Sequence, residues 1–190
     1  MPTKAFYKNY VQIINATQIC LDQDLHMPAL ILIFTLIDSF AWAASDKAEK
    51  NCRTRFEAWL SKWVYPHGPL PCTPTELYAA RCGVLHTLTS KADLHAMSTV
   101  RQIAYAWGPA KASTLQKSIE VISRPELVGV HMNELLDAIK EGIARTVAAA
   151  ETDQSLLNRL EKAAALHFSE LPTKTLEQLM ELHESANKSI

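Results

Sequence analysis

The sequence predicts a mainly α protein: a helical bundle with a minor two-stranded β element. Three observations carry that expectation. Apolar residues recur at helical spacing through most of the 190 residues. Helix-starting and helix-stopping residues punctuate the chain, notably Pro28, the stretch Thr73-Pro74-Thr75-Glu76 and the run PHGPLP at 66–71. Only two short stretches, TVRQIAYAWG (99–108) and ELVGVHM (126–132), are rich in β-formers.

Taken in order, Phe6, Tyr10, Ile13, Ile14 and Thr17 make one stripe of an amphipathic helix over 4–20. The polar break CLDQDLHM follows. Pro28 suits the first turn of a second helix, over 28–44, because its missing N–H has no partner to lose there. PALILIFTLIDSFAWAA is apolar nearly all round, so other elements should surround it. It is shorter than the roughly 20 residues a bilayer demands and contains Asp38, so it reads as a core helix, not a span. Phe56, Trp59, Leu60, Trp63 and Val64 stripe a third helix, which PHGPLP stops. Thr73 as cap, Pro74 as first helical residue and Glu76 reaching back form a capping box, starting a fourth helix over 74–89. The two β-like runs bracket a helical STLQKSIEVI and are expected to pair. From Asn133 the apolar period of Leu135, Leu136, Ile139, Ile143 and Val147 is helical again, with two further helices near 152–168 and 173–187.

One domain suits this length, with 1–150 as the main bundle and 151–190 as a C-terminal helical hairpin packed on it. Hydrophobic residues at 48% and charged residues at 21% are ordinary for a globular chain. A formal net charge of -1 argues against a strongly basic nucleic-acid footprint, although local basic patches remain open. Cys20, Cys52, Cys72 and Cys82 form no Cys-x-x-Cys pair and no zinc spacing; they read as free thiols of a reducing compartment. No metal or cofactor is expected. No glycine loop for phosphate and no Gly-x-Ser-x-Gly elbow occurs. The first ten residues have no apolar signal core, so a cytoplasmic location off the membrane is expected.

The anomaly is Arg81. At roughly 100° per residue, Leu77, Val84, Leu85 and Leu88 fall within about 60° of it. A guanidinium keeps its charge, so on an apolar stripe it must reach water, pair with an acid or line a cleft. Asp38, the lone charge of its own apolar helix, is the candidate partner. His86 lies about 140° round, beside Thr75, Ala79, Cys82 and Gly83. That small-residue face would let a helix or a substrate approach. On one straight helix Arg81 and His86 point apart, unless the arginine stem curls back or two copies of the helix share a site.

Arg81-Cys82-Gly83-Val84-Leu85-His86, an arginine, four residues and a histidine in an amphipathic helix, resembles the signature of the HEPN superfamily. Members are helical bundles, often homodimers, and many are metal-independent ribonucleases of toxin–antitoxin and antiviral systems. The resemblance covers about residues 5–150 in layout and six residues in motif. It implies His86 as acid or base, Arg81 as phosphate clamp and Asp38 as its orienting partner, with RNA as substrate, an antitoxin protein as possible partner and a homodimer formed across the small face. The family often places a polar residue after the arginine, where this chain has Cys82. A second match, Arg124 to His131, contains Pro125 and Gly129 and is discounted as non-helical. Two other readings stand beside this one: a catalytically inactive binding module using the same groove, and a plain helical scaffold in which Arg81 is a structural ion pair.

Overall fold

The computed structural model describes residues 4–46, 48–68, 70–89, 100–166 and 177–181. Its elements run α1 (Lys4–Asp22), α2 (His26–Ala44), α3 (Cys52–Trp63), a 3-10 turn (Tyr65–His67), α4 (Pro74–Thr87), β1 (Gln102–Ala106), α5 (Ala112–Val121), β2 (Leu127–His131), α6 (Met132–Ala149) and α7 (Gln154–Ala164). The chain is mainly α with a small two-stranded sheet.

α2 is the axis of the bundle. α1, α3, α4, α6 and α7 all pack on it. By length and composition alone it is long and apolar enough to cross a membrane; here Ile33, Phe34, Leu36 and Ile37 are fully buried against its neighbours. Each such side chain contributes about 1.5–3 kcal/mol. α2 begins at His26, two residues before Pro28, which still sits in the first turn. The Tyr10 and Ser39 hydroxyls, 2.8 Å apart, bond α1 to α2. α7 buries Leu156, Leu160 and Ala163 and packs on α2, so this part of the C-terminal region belongs to the bundle. Residues 177–181 are helical. The rest of the helix expected over 173–187, and the last two residues of that expected over 152–168, lie outside the described residues.

β1 and β2 pair in parallel, Gln102 with Leu127 through Ala106 with His131. Parallel neighbours need a crossover, and α5 supplies it. Gly129 lets α5 lie close: a Cβ there would meet Leu115 Cγ at 3.1 Å and Gln116 N at 3.3 Å. The Gly129 N–H donates to Gln116 Oε1 at 3.1 Å. The discounted second match is indeed non-helical. Arg124 follows α5 in a turn and His131 ends β2.

The capping box of α4 forms as the sequence predicts. The Glu76 N–H donates to Thr73 Oγ1, and the Thr73 N–H donates to Glu76 Oε2 at 2.7 Å. Glu76 also does something the box did not announce. Its carboxylate, 4% exposed, accepts from Arg101 Nε at 2.7 Å and from Arg101 Nη2 at 3.1 Å. The residue that starts α4 therefore also fastens the entry to β1.

Candidate functional site

Asp38 sits on the face of α2 turned toward α4, and Arg81 on the face of α4 turned toward α2. Arg81 Nε donates to Asp38 Oδ2 at 2.7 Å, and Nη2 lies 2.7 Å from the same oxygen. Their side chains are 15% and 21% exposed. Burial opposes the arginine's charge, but the hydrogen bond and the charge of Asp38 outweigh it and hold its pKa above the ordinary value. The misplaced cation of the sequence is thus an anchored one.

The third guanidinium nitrogen goes elsewhere. Nη1 lies 3.1 Å from His86 Nε2. The wheel sets these residues apart, and the flexible arginine stem closes the gap within one chain. Guanidinium nitrogens only donate, so His86 Nε2 is the acceptor and a neutral ring carries its proton on Nδ1. His86 itself is exposed. The backbone helps here. α4 ends after Thr87, where Leu88 turns left-handed at φ 53° and bonds back to Gly83 and Val84. His86 therefore stands in the last turn, beside solvent. Leu77 and Val84 of the expected stripe are buried, while Leu88, past the turn, is 61% exposed.

Around this trio stand residues that sequence reading did not assign. Cys52 Sγ donates to Asp38 Oδ1 at 3.7 Å, so both carboxylate oxygens are occupied. Burial first, then Asp38, raises the Cys52 thiol above its usual pKa, which keeps it a donor. The Tyr78 ring lies under two cations, Arg81 at 5.8 Å and Arg53 at 6.0 Å from its centroid. Burial and the neighbouring Cys82 push the Tyr78 phenol up to about 12. Tyr78 precedes Arg81 by three residues, a spacing that puts both on one helix face, so that signal was present in the sequence. Cys52 and Arg53 come from the start of α3 and carried no local signal.

One expectation needs correcting. The small-residue face beside His86 is not open along its length. Ala79 is fully buried and Gly83 is buried too, both covered by the chain itself. Small side chains here serve close packing within the bundle, which leaves Thr75, Cys82 and His86 for any approaching partner.

The arrangement offers a fixed cation, an imidazole with a solvent-facing side and a carboxylate that holds the cation. Among the described residues, no group of three or more His, Cys, Asp or Glu is placed to hold a metal ion. Comparison with protein-family models, with curated proteins and with solved structures finds no match.

Proposed function

We propose that this chain is a HEPN-like, metal-independent endoribonuclease of a toxin or defence type, cytoplasmic and active as a homodimer. The observation that supports this reading is the Arg81 guanidinium held by Asp38 and shared with His86. RNA brings its own nucleophile, the 2′-hydroxyl. His86 takes the proton from that hydroxyl as the 2′-oxygen bonds to phosphorus. Arg81 stabilises the charge that builds on the phosphate oxygens. The bond from phosphorus to the 5′-oxygen breaks, that oxygen takes a proton from solvent water, a 2′,3′-cyclic phosphate remains, and His86 returns its own proton to solvent. Asp38 touches no substrate in this scheme; it positions Arg81. Tyr78 and Arg53 border the same surface.

The shared donor gives this site an order of events. In the free protein the His86 Nε2 lone pair is engaged by Arg81. A phosphate oxygen competes for that Nη1 donor, because a charged acceptor makes the stronger hydrogen bond. Substrate binding thereby frees the lone pair that the reaction uses.

A second reading has an observation of its own. Nε, Nη1 and Nη2 of Arg81 each already have a protein partner. That satisfied state suits a catalytically inactive binding module, recognising a partner protein such as an antitoxin, or a nucleotide. RNA incubated with the wild type and with His86→Ala separates the two. The ribonuclease reading expects cleavage by the wild type and a loss of at least about 100-fold in the variant. Equal cleavage by both, or none by either, removes it.

A further inference from the structure

A cleft lies between the C-terminal end of α2, α3 and the start of α7, with a volume of about 210 Å³. Its floor is apolar, with Ala41, Trp59 and Leu156 among its residues. Three cations line it: Arg55, Lys62 and Arg159. α3 separates this cleft from Arg81. Arg53 and Phe56 face Tyr78 on one side of the helix, and Arg55, Trp59 and Lys62 face the cleft on the other.

The arginines here differ from the others in their partners. The chain has seven arginines. Arg53, Arg81, Arg101, Arg124 and Arg145 each pair with a carboxylate. Arg55 and Arg159, which pair with no carboxylate among the described residues, share this cleft. Neutral acceptors fix both. Arg55 Nη1 donates to the Glu49 carbonyl at 2.9 Å. Arg159 Nε donates to the Ala44 carbonyl, at the end of α2, and its Nη1 to Ser155 Oγ, both at 2.8 Å. Lys62 Nζ rests 4.7 Å from the Trp63 ring centroid. The two acids of the cleft lining are oriented by their own loop and keep their charge: Asp46 Oδ1 accepts from the Ala48 N–H at 3.0 Å and Glu49 Oε1 from the Asn51 N–H at 2.7 Å. Asp153, the cap of α7, is held below its ordinary pKa, chiefly by the Leu156 amide and further by Arg159 and Lys62. Three cations against two carboxylates in the lining leave the cleft one positive charge in excess, and an anion placed among Arg55, Lys62 and Arg159 gains from it.

We infer that this cleft binds a small amphiphilic anion, its apolar or aromatic body on Trp59 and Leu156 and its anionic group among Arg55, Lys62 and Arg159. This is the usual composition of a small-molecule site, mostly apolar walls with a few convergent polar groups. It does not depend on the ribonuclease reading.

The test uses 1-naphthyl phosphate as probe, with 1-naphthol and inorganic phosphate as controls, followed by calorimetry and by the indole N–H resonances of the full chain. Saturable binding of 1-naphthyl phosphate, with shifts at Trp59 and Trp63, is expected. Each control should bind at least about tenfold weaker, a difference of about 1.4 kcal/mol. Arg55→Gln/Lys62→Gln should weaken the probe by at least about tenfold, while Lys140→Gln, outside the lining of the cleft, leaves it within about twofold. Should the double variant melt below the wild type, Lys62→Gln alone is read, with a loss of about threefold expected. The inference is overturned by equal affinity for 1-naphthyl phosphate and 1-naphthol, by undiminished affinity in the variant read, or by no saturable binding up to about 1 mM probe.

Discussion

Arg81 divides its guanidinium between two neighbours of different chemistry, and the division is what makes the site testable residue by residue. Asp38 takes two of its nitrogens and His86 the third. Replacing Asp38 with Ala leaves a largely covered cation without its counter-charge, at a cost of about 1–3 kcal/mol. Denaturant unfolding measures that loss, and unchanged stability with Arg81 still in place would refute the pairing. His86→Ala is different. The ring is exposed, so stability should change by less than about 0.5 kcal/mol. Its tautomer is a second readout. Nitrogen-15 spectra of the ring at neutral pH should show the proton on Nδ1, and Arg81→Gln should shift the population toward Nε2. Sequence alone exposed Arg81, Asp38 and His86 because each breaks a local pattern: a charge on a stripe, a charge in an apolar helix, a polar ring beside small residues. Cys52 and Arg53 break no pattern at the start of α3, so only tertiary packing could reveal them.

At the scale of elements, one contact ties α4 to the entry of β1 and another sets how closely α6 lies on α3. Glu76 is both the closing residue of the α4 capping box and the acceptor for Arg101 at the entry to β1. Burial raises its pKa, but the Arg101 hydrogen bonds and the Thr73 amide outweigh it, and the net shift is downward. The sign follows: ionised Glu76 contributes stability that is present above its unfolded pKa of about 4.3 and lost as pH falls through the lower folded value. Glu76→Gln should therefore flatten the stability profile below about pH 4.5, with a loss of about 1–3 kcal/mol at neutral pH. The second contact is Gly142 on α6. A Cβ there would sit 2.8 Å from Val64 Cγ2 and 3.1 Å from Trp59 Cη2. Gly142→Ala should destabilise by about 1–3 kcal/mol, despite alanine's better helix propensity, and a thermal melt checks it. The capping box was legible because its residues lie three apart in sequence. The link to Arg101 was not, since 25 residues separate the partners. Likewise the two β-like runs and the helix between them could be read, and their parallel pairing follows from that crossover.

The whole molecule is a bundle wound on α2, with a parallel βαβ unit fastened to one side. The mainly helical class and most element positions were readable from periodicity, because the apolar residues that set the period are those that fill the core. Element ends moved by a few residues where backbone geometry decided them, as at Leu88. Internal packing, which single-sequence periodicity does not report, takes up Ala79 and Gly83 of the small face and leaves Thr75, Cys82 and His86 accessible. On the ribonuclease reading, with a net charge of -1 and few cations near His86 among the described residues, RNA binding should depend only weakly on salt. About two phosphate contacts imply a slope of log affinity against log salt near -1.4, whereas a steep slope would mean a larger basic surface than Arg81 and Arg53 provide. The most direct test is product analysis in excess chelator, comparing one RNA oligonucleotide with its fully 2′-O-methylated counterpart. The account predicts cleavage of the unmodified strand to 2′,3′-cyclic phosphate ends and none of the methylated strand. Cleavage of both strands, or of neither, would contradict it.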